Sequence, residues 1–77
     1  MVKDMHKWNR SRIKALRGYL DMTQVELADE MGIRQQTVSE WETGIYIPRG
    51  ASVKLLTMIA ERTGFSYEAK ENEGGAD

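Results

Sequence analysis

The residues best suited to chemistry lie in one short run, Gln35-Gln36-Thr37-Val38-Ser39-Glu40-Trp41-Glu42-Thr43. At helical spacing, Val38 and Trp41 turn to one side. Gln36, Ser39, Glu40 and Thr43 then point away, with Gln35 on the flank near the start. Two glutamines at the head of such a helix suit the reading of a base edge. A Gln amide bonds bidentately to adenine N6 and N7 in the major groove, and a carboxylate such as Glu40 accepts from cytosine N4. Misplaced, that same carboxylate repels phosphate. The competing reading is an ordinary solvated polar face, and the geometry that holds the helix decides between the two.

That geometry is written in Thr23 to Gly44. Val25, Leu27, Ala28 and Met31 recur at helix spacing, and Ile33, Val38 and Trp41 continue the apolar side through a turn into a second helix. Thr23-Gln24-Val25-Glu26 fits a capping box, in which Thr23 caps the Glu26 amide and the Glu26 carboxylate reaches back. Gly32 falls just past the first helix, where a positive φ is expected and glycine adopts it without a Cβ clash. Two helices joined this tightly must cross at a large angle, as a helix-turn-helix.

The segment resembles the lambda-repressor-like, or XRE-type, helix-turn-helix family. The resemblance is carried by Thr23-Gln24, Leu27-Ala28, Gly32-Ile33, Gln36-Thr37-Val38-Ser39 and Trp41-Glu42 followed by Gly44, and extends from about Arg12 to Gly64. It implies an all-α, compact bundle of four or five helices that binds double-stranded DNA as a bacterial or phage transcriptional regulator, with a helix of about 34–43 in the major groove. By the same resemblance Gln24 contacts phosphate, and Gln35, Gln36, Ser39 and Glu40 face bases or backbone. Where the family often has a Ser or Thr cap after the turn, this chain has Arg34. Losing that cap costs about 1 kcal/mol, while Arg34 gains the option of reaching a phosphate. The expected base-contacting set is therefore Gln35, Gln36, Ser39 and Glu40. The expected phosphate set is Gln24, Arg34, Thr37, Arg49, Arg10 and Arg12, of which Thr37 can serve either purpose.

The flanking elements are read in the same way. Ile13, Leu16 and Leu20 form the stripe of a first helix, capped by Asn9 or Ser11 and extended by Trp8 and Tyr19. Ile45-Tyr46-Ile47-Pro48-Arg49-Gly50 reads as an extended loop, since Pro48 biases Ile47 away from helix. In the family this loop runs along the DNA backbone, where Arg49 and the Tyr46 hydroxyl are the candidates; at least one of Ile45 and Ile47 is expected in the core. Ala51 to Arg62 reads as a further helix with Val53, Leu56, Ile59 and Ala60 inward and Leu55 and Met58 widening the stripe. Gly64 closes it and Phe65 packs back. The expected organisation is a loose basic segment at 1–8, the helix-turn-helix domain at 9–65 and an acidic, flexible tail at 66–77, with Phe65-Ser66-Tyr67 as an alternative dimer element.

Composition bounds the rest. The chain has 77 residues, no cysteine and a net charge of −1, which argues against a non-specific nucleic-acid binder. The charges are segregated, however. Lys3, Lys7, Arg10, Arg12, Lys14 and Arg17 face only Asp4 in the first twenty residues, while residues 21–44 hold Arg34 against six acids. Local clusters, not the total, set the field that a phosphate meets. A single small reading head touches few base pairs, so a homodimer on DNA is expected.

The absence of cysteine fits a reducing cytoplasm. No apolar run approaches a membrane span, and the first residues lack the apolar core of a signal peptide. His6 is the one histidine, so the sequence offers neither a metal site nor a base for Ser11, Ser39, Ser52 or Ser66. The five methionines sit at helix spacings as core filler. Neither a cofactor nor catalysis is expected. The run from Trp41 through Pro48 to Leu56 also looks like a subgroup containing antitoxins. That likeness supplies the alternative function, a protein-interaction module that neutralises a toxin-like partner and regulates its own gene.

Overall fold

The computed structural model describes residues 8–66. Of the expected loose segment at 1–8 and tail at 66–77, residues 1–7 and 67–77, Tyr67 included, lie outside the described residues. Four helices follow in order: α1 Arg10–Leu20, α2 Gln24–Met31, α3 Gln35–Thr43 and α4 Ala51–Thr63. No strand occurs among the described residues.

Local capping chemistry sets most of the boundaries. Asn9 opens α1 by accepting the Arg12 N–H at 2.9 Å. The capping box of α2 is complete: Thr23 Oγ1 accepts the Glu26 N–H at 3.1 Å, and Glu26 Oε1 accepts the Thr23 N–H at 2.9 Å. Gly32 ends α2 with φ +73, turning the chain sharply enough for α3 to start three residues later. Arg34 opens α3 in extended conformation with no side-chain cap. Asp21 ends α1 as the single non-glycine with positive φ among the described residues.

α2 and α1 both pack on α3, and α4 closes the bundle against α2. Ile13 and Leu16 from α1, Leu27, Ala28 and Met31 from α2, Val38 and Trp41 from α3, and Leu56, Ile59 and Ala60 from α4 are buried together. Trp8, expected at the end of the loose leading segment and also as an extension of the α1 stripe, belongs to this core with 2% exposure. Its Nε1–H donates to Thr57 Oγ1 of α4 at 3.2 Å, and its ring stacks on Phe65, 6.4 Å between centroids. Phe65 therefore packs back as expected.

Four apolar expectations are corrected. Val25 is 54% exposed: it lies about 200° around the helix from Leu27, and an eight-residue helix buries only one narrow face. Leu55 and Met58 are exposed because they stand about 100° and about 160° around α4 from Leu56, the centre of the Val53–Leu56–Ile59 stripe. Ile45 and Ile47 both face solvent. After Gly44 the Ile45 and Tyr46 amides both donate to the Glu40 carbonyl, at 3.0 and 3.3 Å. The loop is thus folded tightly over the helix end, and Pro48, not an isoleucine, is buried. Tyr19 is only half covered, with its hydroxyl donating to the Thr63 carbonyl at 2.8 Å and its ring 5.3 Å from Phe65.

Candidate nucleic-acid interface

The site is the outward face of α3 with what surrounds it. Val38, Trp41 and Glu42 are buried. That leaves Gln35, Gln36 and Thr43 exposed and Thr37, Ser39 and Glu40 partly so. A helix anchored by one aromatic, one valine and one carboxylate presents a face made of amides, hydroxyls and a carboxylate.

Glu42 is the anchor that the sequence reading missed. A charge buried to 5% exposure needs a partner. Arg17 of α1 supplies it: Nε donates to Oε2 at 2.6 Å and an Nη to Oε1 at 2.8 Å, while a second Nη holds the Met22 carbonyl at 3.2 Å. Burial pushes the Glu42 carboxyl up. The bonds from Arg17 and Gln24 and the charges of Arg17 and Lys14 outweigh that and hold it below its ordinary value. The Arg17 guanidinium is raised, chiefly by its bond to Glu42. One signal was available in the sequence: Glu42 falls one helical turn after the inward Val38, where an unpaired carboxylate would be costly.

From this pair a chain of hydrogen bonds runs to the surface. Gln24 Nε2 donates to Glu42 Oε1 at 3.1 Å, and Gln35 Nε2 donates to Gln24 Oε1 at 2.8 Å. Gln24 at the head of α2 and Gln35 at the head of α3 are therefore side by side and oriented from the core outward. Gln36 Nε2 donates to Glu40 Oε2 at 3.2 Å, one turn further along.

The cations divide. Arg34 stands exposed at the start of α3 and Arg49 on the loop beyond its end. Arg10 lies across Gly44, where a Cβ would meet its Nη1 at 3.5 Å. That places a positive charge at the carbonyl end of α3, the favourable end for one. Arg12 is not brought to this set. Its guanidinium lies over the Trp8 ring, 4.1 Å from the centroid, because position 12 is about 200° around α1 from position 10. Among the described residues no cluster of His, Cys, Asp or Glu could hold a metal ion, and no helix is long and apolar enough to cross a membrane.

A helix-turn-helix family model matches residues 13–68. A protein of Archaeoglobus fulgidus named as an uncharacterized HTH-type transcriptional regulator is 45% identical over 51 residues, 66% of this chain and 68% of the relative. No solved structure matches the chain significantly.

Proposed function

The chain belongs to the lambda-repressor-like, XRE-type helix-turn-helix family of DNA-binding transcription regulators, and on that premise we propose that it reads a specific double-stranded sequence with α3 in the major groove. The observation that carries this reading is the outward face of α3, where Gln35, Gln36, Ser39 and Glu40 lie together between the cations at its two ends. Gln35 and Gln36 are assigned to base edges first, Ser39 and Glu40 second. Gln24, Arg34, Arg49 and Arg10 hold phosphates, and Thr37 serves either purpose. Arg12 joins the phosphate set only by leaving Trp8. The protein acts by binding, without catalysis, and the DNA it meets is in the cytoplasm.

Two copies occupy half-sites about one helical turn, roughly 34 Å, apart, since one small reading head covers too few base pairs. Footprinting should show a palindromic protected site; saturation at one protein per duplex on an unrepeated site would exclude the dimer.

The test is a selection of bound sequences from random duplexes, followed by titration of two variants across a salt series. Gln36→Ala should cost about 1–3 kcal/mol on the selected site and little on scrambled DNA. Arg49→Ala should weaken both alike and lower the salt slope by about one ion per protomer. Equal losses on both duplexes remove Gln36 from the base-reading set. If folded variants bind as the parent does, the toxin-binding module becomes the better reading.

A further inference from the structure

We propose that Glu40 is a specificity residue acting through Gln36: it locks the Gln36 amide in the one orientation that accepts adenine and rejects guanine. The inference rests on the DNA-reading function above and names the base at one position of the site.

A glutamine on an open helix face can rotate its amide by half a turn, exchanging Oε1 and Nε2. In one orientation it matches adenine, which offers an acceptor at N7 and a donor at N6. With its amino group turned to the base it serves guanine, which offers only acceptors at N7 and O6. A free Gln36 would thus read a purine with little preference.

Glu40 removes the choice. It lies one turn after Gln36, and helical side chains lean toward the N-terminus, so its carboxylate stands over the Gln36 amide. Gln36 Nε2 donates to Glu40 Oε2 at 3.2 Å. An ionised carboxylate only accepts, so the flipped amide would set Oε1 against Oε2, two acceptors with no proton between them. In the allowed orientation one N–H is held by Glu40, and the second N–H and Oε1 remain for the base. A donor beside an acceptor complements adenine N7 and N6–H. Guanine would set O6 against Oε1.

The backbone that carries the Glu40 side chain is fixed without a ligand. Its carbonyl is held by the Ile45 and Tyr46 amides and by the Thr43 hydroxyl at 3.2 Å. Its charge also faces the groove, so complexes in which the pair meets no base amino group suffer repulsion from phosphate.

The experiment begins with selection by the parent protein, the position read by Gln36 being the one whose preference Gln36→Ala abolishes. Adenine is expected there. Glu40→Ala and Glu40→Gln are then compared on adenine and guanine duplexes, with melting curves showing that each is folded. Discrimination of about tenfold in the parent, within the usual range for a bidentate pair, should fall toward parity in both variants, and binding to scrambled DNA should rise. Glu40→Gln is the decisive arm. Glutamine keeps a hydrogen bond to Gln36 but can present either end of its own amide, so a merely structural contact would be rescued and an acceptor-only lock would not. Adenine preference surviving in Glu40→Gln, or guanine selected by the parent, overturns the inference. Selection of no sequence by the parent would overturn the DNA-reading function itself.

Discussion

Arg17 and Glu42 meet with two parallel hydrogen bonds, 2.6 and 2.8 Å long, across the packing of α1 on α3. Because the folded Glu42 carboxyl is held below its ordinary value, its ionised form stabilises the fold above the unfolded pKa of about 4.3. That contribution is lost as pH falls through this value toward the lower folded one. Melting temperature followed from pH 7 to pH 3 should therefore drop more steeply in the parent than in Glu42→Gln. At neutral pH the substitution should cost about 3 kcal/mol, the low end for a broken buried pair, since Arg17 keeps some solvent contact. Parallel pH profiles for the two proteins would refute the assignment.

Arg34 offers a trade between stability and binding. It opens α3 without a side-chain cap, so Arg34→Ser should add about 1 kcal/mol by accepting an amide of the first turn. In a domain of this size that raises the melting temperature by about 4–8 °C. DNA affinity and the salt slope should fall together if Arg34 holds a phosphate. A serine variant that melts and binds as the parent does would sink both expectations.

Ala28, at 2% exposure, lies on the buried side of α2, which packs on α3. A larger side chain there must push the helices apart. Ala28→Leu should destabilise by about 1–3 kcal/mol, measurable by urea unfolding; an unchanged midpoint would contradict the tight approach of the two helices.

Trp8 precedes every helix yet fills the core. Trp8→Ala should cost about 3–5 kcal/mol, a large share of the stability a small domain commands. Trp8→Phe should cost less, keeping the ring but losing the bond to Thr57. If Trp8→Ala melted within a degree of the parent, the ring would not be part of the core.

What was legible in the sequence was local. Thr23 and Glu26 declare the start of α2 within four residues, and Gly32 and Gly64 mark ends that depend on nothing distant. On α3, the inward positions of Val38 and Trp41 follow from spacing alone, and that of Glu42 does not. What stayed hidden depends on how the helices pack. Arg10, Arg12 and Arg17 are chemically alike; the packing of α1 against α3 sends Arg17 to Glu42 and Arg10 to Gly44, while Arg12 lies over Trp8, which is itself held against α4 and Phe65. Ile45 and Ile47 misled because apolarity states a preference, while the short span from Gly44 to Gly50 dictates which side chains can turn inward. Gln24 and Gln35 were singled out separately, and their hydrogen bond to each other was not foreseen because eleven positions separate them.

The stacking of Trp8 on Phe65 has a mechanical consequence. The two rings close the described chain into a loop, so its entry and exit lie side by side. Within the described residues, chain entering at Trp8 and chain leaving at Phe65 therefore pass the same side of the bundle. Tension applied at Trp8 and Phe65 would bear directly on their ring contact and on the hydrogen bond from Trp8 to Thr57.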